Sequence, residues 1–315
     1  MINTELKVKN LILKNRIVMP PMATSCADDK GLVTDALLDY YHLRAKGGYL
    51  GLVITEHVFV LPEGKAHRAQ ASMASDEVIE GQRKLVDIFH KEGIPVIAQI
   101  SHAGMKAEVE VPYGPSETVF KDKKVLAMDE EHIQQIINGF VKAALRVKAC
   151  GYDGVEIHSA HGYLLNQFYS PLVNKREDEY GTNRIKLHLE IIKKVREALG
   201  EDYLIALRLG ALDYTEGGST IEDALAAAKA FEAAGVDLLD ISGGMNGFVI
   251  PGVDTPGYFE EVGAEIKKVV AIPVISTGGY RDKETIEKAL ENNHADLIGI
   301  GRPLFKDPEF IKQII

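Results

Sequence analysis

RIKLHLEIIKKVREALGEDYLIALRLGALDYTEGGSTIEDALAAAKAFEAAGVDLLDIS, Arg184–Ser242, reads as helix, strand, helix, strand. The first run, Arg184–Leu199, repeats apolar residues at helical spacing and stops at Gly200. Tyr203–Leu209 then gives a short, almost unbroken apolar run, the signature of a strand covered on both faces. Thr220 with Asp223 three residues on resembles a capping box, and the helix it opens ends near Gly235. Val236–Ser242 is again a strand.

The same alternation extends outward in both directions. Further strands are expected at Arg16–Met19, Leu50–Glu56, Ile94–Ile100, Tyr152–Ser159, Ile272–Thr277 and Ala295–Ile300. Helices are expected at Asp35–Lys46 behind Thr34, at Asp76–Lys91 behind Ser75, and at Asp129–Ala149, Phe259–Val269 and Asp282–Glu291. Eight strand–helix alternations point to a (β/α)₈ barrel, a TIM barrel, as one domain over 1–315. A doubly wound sheet would usually use fewer strands. The one long irregular stretch, about Ser101–Met128, is expected to be a functional lid.

Composition narrows the class. The 315 residues carry a net charge of −10, with 46% apolar and 26% charged residues. Nucleic acid and anionic membrane both demand a dense basic surface, so neither is expected as a partner. Cys26 and Cys150 form no CxxC pair, which excludes a thiolate zinc or iron–sulfur site. The Lys- and Asn-rich N-terminus has no signal-peptide core, and no run of about 18 apolar residues occurs. A reducing, cytoplasmic setting is expected, and a homo-oligomer is compatible with all of this.

In such a barrel the active site lies at the C-terminal ends of the strands. Read in order, those ends carry Pro20, Pro21, Met22 and Ala23, then Glu56 and His57, then Gln99, Ser101 and His102. His158, His161 and Tyr163 follow, then Arg208, Ser242, Gly278 with Gly279, and Gly301 with Arg302. This ring is rich in His, Arg, Gln and Gly and holds few carboxylates, so it does not suggest a glycosidase pair. Gly278, Gly279 and Gly301 let backbone N–H groups approach an anion, and Arg302 offers a planar fork to a phosphate. The alternative is that these glycines only make tight turns. His158 and His161 can donate hydrogen bonds to one oxygen, and Tyr163 can supply a proton. Their spacing also permits a metal, but no third ligand is evident. Arg208 and Gln99 interrupt apolar strands and must find partners, either inside the barrel or on a ligand across its mouth.

Five stretches now carry a resemblance: LKNRIVMPPM (Leu13–Met22), VIAQISHAG (Val96–Gly104), GYDGVEIHSAHGYLLNQFYSPLVNKREDEYG (Gly151–Gly181), ALRLGALDY (Ala206–Tyr214) and ADLIGIGRPLFKDP (Ala295–Pro308). The chain resembles the old yellow enzyme family of FMN-dependent ene-reductases, especially its short bacterial branch. The resemblance implies noncovalent FMN across the barrel mouth and NADH or NADPH as reductant. Its substrate would be a small activated alkene, such as an α,β-unsaturated carbonyl compound. Gly279, Gly301 and Arg302 would hold the phosphate, and backbone near Pro21, Met22 and Ala23 would flank the flavin N5 edge. Gln99 would bond the pyrimidine end and Arg208 the N1 and C2-oxygen edge. His158 and His161 would bind the substrate carbonyl oxygen, with Tyr163 as proton donor.

The chain departs from the family pattern in four places. Ala23 stands where this branch has Cys and others Thr, with Cys26 nearby but displaced. His57 stands where this branch usually has Ala, and either contacts the flavin or hydrogen-bonds a loop. The YGGSxxNR loop is shortened to Tyr180–Arg184, and the chain ends soon after the last strand. Two other classes stay open: a phosphate-substrate barrel of aldolase or isomerase type, and a non-catalytic flavin-binding protein. The first would want a Lys or a catalytic carboxylate at a strand end. The second would have little need for His158, His161 and Tyr163 together.

Overall fold

In the computed structural model, which describes residues 1–315, all eight expected strands form and close on one another. They are β1 (Ile17–Met19), β2 (Leu52–Phe59), β3 (Val96–Ser101), β4 (Gly154–Ser159), β5 (Leu204–Leu212), β6 (Leu238–Gly243), β7 (Val274–Thr277) and β8 (Leu297–Gly299). Each pairs in parallel with the next, and β8 returns to β1 through Ile298 opposite Ile17. Most begin about two residues later than their apolar runs, because the first apolar residues lead up to the strand. No helix is long and apolar enough to cross a membrane.

The helices that alternate with the strands are α1 (Asp35–Ala45), α2 (Ile79–Lys91), α3 (Glu130–Ala149), α4 (Lys186–Leu199), α5 (Ile221–Ala234), α6 (Glu260–Lys267), α7 (Lys283–Glu291) and α8 (Arg302–Lys306), and two short helices, Leu164–Tyr169 and Glu179–Thr182, lie between β4 and α4. Thr34, Asp129 and Asp282 cap α1, α3 and α7 with side-chain oxygens, and Thr220–Asp223 closes the expected capping box on α5. Gly235 ends α5 at φ +113°, a conformation that favours glycine. Ser75 does not cap α2. It precedes a single 3₁₀ turn, Asp76–Val78, and makes no capping bond. Ser101–Met128 is not irregular either: Tyr113–Gly114, Thr118–Phe120 and Lys123–Ala127 form a small sheet beside the barrel mouth.

Inside the barrel the period-2 alternation of strands sorts side chains into layers. Leu52, Ile97, Leu204, Leu238, Ile275 and Leu297 belong to an inner apolar cluster, which Val8 and Leu13 of an N-terminal hairpin join. Two residues further along their strands stand Gln99, Asp240 and Thr277, Arg208 stands two beyond Ala206 of the same cluster, and Glu156 sits in register with Gln99. The outer core, 68 buried residues, lies between strands and helices.

Acids at the N-terminal ends bind neighbouring strands together. Asp153 accepts from Val96 N–H, Asp237 from Ile205 N–H and Asp296 from Val274 N–H, at 2.8, 3.0 and 2.9 Å. Arg196 of α4 extends one of these joints. Its guanidinium donates to the carbonyls of Gly200, Tyr203 and Gly235 and pairs with Asp237. Removing Arg196 from this nearly buried pair leaves Asp237 with Lys9 as its counter-charge, at 3.1 Å, and leaves the three carbonyls without their donor. Arg196→Met is therefore expected to lower unfolding free energy by about 3 kcal/mol in urea titration. A loss below about 1 kcal/mol would show that the pair is only a surface contact.

Candidate active site

The chemistry-bearing residues converge on one cavity of roughly 540 Å³ at the C-terminal mouth. Pro21, Met22, Ala23, His57, Gln99, His158, His161, Tyr163, Arg208, Ser242, Gly279, Gly301 and Arg302 all line it. Gly278, expected among them, does not: its carbonyl accepts from the backbone N–H groups of Gly257 and Tyr258 instead. Cys26 is not in the wall, and its thiol reaches only the Thr24 carbonyl at 3.4 Å.

His158 is the penultimate residue of β4, and beyond Ser159 the chain turns sharply. His161 and Gly162 both have positive φ, +59° and +70°, which turns the chain back toward the cavity. The His158 and His161 rings meet edge to face at 5.3 Å, and Tyr163 lies 5.1 Å from His158 and 5.3 Å from His57. His161 Nε2 is 2.7 Å from Ser242 Oγ, while the buried His158 Nδ1 has no partner. Burial, with the neighbouring cations, pushes both imidazoles well below the usual histidine range, so both are neutral. Burial lifts the Tyr163 hydroxyl to about 12, so it holds its proton at neutral pH.

Asn166 and Gln167 hold this turn in place, a role the sequence reading missed. Asn166 Oδ1 accepts from Gly162 N–H at 2.7 Å. Gln167 donates to the Ala103 and Gly162 carbonyls and accepts from Met105 N–H, tying the β3 and β4 loops together. His57 makes the loop hydrogen bond expected as one of its two alternatives, and its side chain also faces the cavity. Its Nδ1 lies 2.7 Å from Gln70 Nε2 on the following loop. Lys106, Phe248 and Tyr258 also reach the cavity. No motif announced them, because loops bring them in from distant sequence.

Below the mouth lies a buried polar layer. Gln99 donates to Glu156 at 2.8 Å, and Arg208 Nε is 3.2 Å from Asp240 Oδ2, an ion-pair contact without hydrogen-bond alignment. Burial pushes both carboxyls up, and Asp240's charge raises Glu156 further. Arg208 opposes this for both, and only Asp240 is in ion-pair contact with it, so burial and the neighbouring carboxyl push Glu156 up the more strongly of the two.

These residues fit a flavin mononucleotide. Pro20–Ala23 provide an apolar edge, and Arg208 and the unpartnered His158 Nδ1 provide buried polar groups at the mouth. Gly279 and Gly301 leave a wall bare of side chains beside Arg302. A Cβ on Gly279 would strike the Tyr258 ring at 2.8 Å.

A family model described as NADH:flavin oxidoreductase / NADH oxidase matches residues 3–315. The chain belongs to that family. It is 40% identical to an NADH oxidase of Thermoanaerobacter brockii across 98% of its length, but spans only 50% of that longer protein. It is also 40% identical to an NADPH dehydrogenase of Listeria monocytogenes serotype 4b (strain CLIP80459), covering 98% of this chain and 92% of that one. The solved structure of the old yellow enzyme homologue from Zymomonas mobilis matches at a TM-score of 0.84 and 26% identity, covering 99% of this chain and 91% of the other. The family is one of FMN-dependent NAD(P)H oxidoreductases of old yellow enzyme type, and the resemblance read from the sequence holds. An aldolase or isomerase class does not fit this membership.

Beneath the Pro20–Ala23 edge, the buried Glu56 carboxylate accepts from Thr24 Oγ1 at 2.8 Å and Thr24 N–H at 3.2 Å. Burial raises it from 4.5 to about 7. The fold therefore binds this proton more tightly than the unfolded chain does. The stability it contributes is present below pH 4.5 and lost as pH rises through about 7. The amide of Glu56→Gln cannot ionise, so wild type should lose stability relative to the variant between roughly pH 5 and 8. Denaturant midpoints of the two proteins across that range provide the check. A constant difference would mean that Glu56 is ionised throughout.

Proposed function

We propose that residues 1–315 act as one domain that reduces the C=C bond of activated alkenes, such as α,β-unsaturated carbonyl compounds, with NADH or NADPH. The observation that carries this reading is the meeting of His158, His161 and Tyr163 in one cavity with Arg208, Gly279, Gly301 and Arg302. When bound, FMN would supply the hydride-transfer chemistry that links NAD(P)H to the alkene. Arg302 and the backbone of Gly279 and Gly301 would hold its phosphate, Gln99 and Arg208 its ring edge, and Pro21, Met22 and Ala23 the opposite edge. His57, Ser242 and the β7 turn at Gly278 support that wall.

The remaining work belongs to the protein. The neutral imidazoles of His158 and His161 donate hydrogen bonds to the substrate's carbonyl oxygen. As the β-carbon gains hydride, negative charge gathers on that oxygen and the α-carbon. Each well-placed donor stabilises such charge by about 3 kcal/mol. Ser242 fixes His161 through the 2.7 Å contact with Nε2. Tyr163 holds its proton over the α-carbon and delivers it there. Its high pKa keeps the proton in place until carbanion character develops. A cytoplasmic, reducing setting suits the two free thiols, Cys26 and Cys150.

The direct test is optical. The purified protein should be yellow, bleach with NAD(P)H without air, and recover colour on adding cyclohexenone. Bleaching without recovery would leave only a flavin carrier. Arg302→Ala should weaken FMN retention by roughly 10- to 100-fold, since a phosphate would lose a charge-assisted fork. Unchanged affinity would remove Arg302 from the phosphate site. Tyr163→Phe should slow reoxidation by cyclohexenone about 10²- to 10⁴-fold. Nitroalkenes, whose nitronate product takes its proton from water, should be slowed far less. Equal slowing of both in stopped flow would take Tyr163 out of the mechanism.

A further inference from the structure

Three side-chain cations line the cavity, Lys106, Arg208 and Arg302, and no Asp or Glu does. This is a cationic hole in a chain of net charge −10. Arg208 is in ion-pair contact with Asp240, and Arg302 lies on the glycine wall. Lys106 has no acid. Its Nζ donates only to the backbone carbonyl of His161, at 2.8 Å, and the charged neighbour that most affects it is another cation, Lys121. The side chain is half-buried, so its charge is poorly hydrated.

We propose that Lys106 selects alkenes whose activating group is itself an anion: α,β-unsaturated carboxylates. The proposal rests on the alkene-reduction reading above. Lys106 Nζ packs against the His161–Gly162 turn, and a Cβ on Gly162 would come within 2.5 Å of it. Its charge reaches both His158 and His161. It therefore stands beside the two imidazoles that meet the activating oxygen. An enone gains one negative charge on that oxygen, and two neutral N–H donors suffice. A carboxylate already carries one and gains a second as the β-carbon takes hydride. A fixed ammonium answers that second charge, and neutral imidazoles do not. A neutral ester in the same place would leave the ammonium without a counter-charge.

The reaction balances. The alkene π bond breaks. Hydride from NAD(P)H, carrying two electrons, forms the new C–H bond at the β-carbon. The Tyr163 proton forms the one at the α-carbon and is replaced from water. NAD(P)⁺ and the saturated acid leave.

The test uses the FMN-loaded protein with two pairs of probes, benzoate against methyl benzoate and cinnamate against methyl cinnamate. Spectral titration should show wild type binding benzoate about 10- to 100-fold more tightly than its ester. Lys106→Met should abolish that preference, and Lys106→Arg, which keeps the charge, should retain it. In stopped-flow reoxidation of prereduced protein, the cinnamate-to-ester rate ratio should fall at least roughly tenfold in Lys106→Met. A role confined to holding the His161 carbonyl would slow acid and ester alike and leave the ratio unchanged. That outcome, or equal benzoate binding by wild type and Lys106→Met, overturns the proposal. If wild type reduces methyl cinnamate but not cinnamate, the proposal fails while alkene reduction stands. If it reduces no alkene, the functional reading fails, and the benzoate titration still decides on Lys106.

Discussion

A guanidinium closed inside a barrel has to be answered by charge or by hydrogen bonds, and Arg208 sets that condition here. Its side chain is almost fully buried on β5, opposite Asp240 on β6 and His158 on β4. An unpaired ion at that depth would cost several kcal/mol. Asp240 supplies the charge, Ser242 lies 3.5 Å from the guanidinium, and Glu156 with Gln99 completes the layer. The guanidinium thus faces Asp240 directly, while burial and that neighbouring carboxyl push Glu156 toward its protonated form.

The layers above and below follow from this one. Beneath it the strands can be filled by Leu and Ile, because nothing polar remains to satisfy. Above it the same inward-facing positions open onto solvent, so His158 and Ser242 can serve a ligand. Burial keeps both site histidines neutral, and the Arg208 charge pushes their proton affinity down further. The polar layer thus adds to what desolvation already imposes on the groups above it. The loops add specificity to this scaffold. Gln167 links two of them, and the β3 loop delivers Lys106 to the His161 turn.

Much of this was legible in the residues. Helical periodicity, glycine stops and short apolar runs gave the eight alternations, because each is a local property of the chain. The histidines, Tyr163, Arg208 and the glycine–arginine end were legible too, since polar residues at the ends of apolar runs have few structural uses. The Ser101–Met128 sheet was not. Its strands are two to five residues long, too short to show a period. Gly278 was misread because the sequence does not say which of two adjacent glycines faces inward.

The sequence by itself determined the barrel, the ring of strand ends and the kind of chemistry that ring can hold. Only the tertiary structure decided the charges and the partners. Whether Glu156 keeps a proton depends on burial and on Asp240, which lies 84 residues away and meets it only across β5. Whether Lys106 is paired or bare depends on which acids the folded loops bring near it, and they bring none. Such facts are set by desolvation and by distances across the fold, and neither is written in any local stretch of the chain.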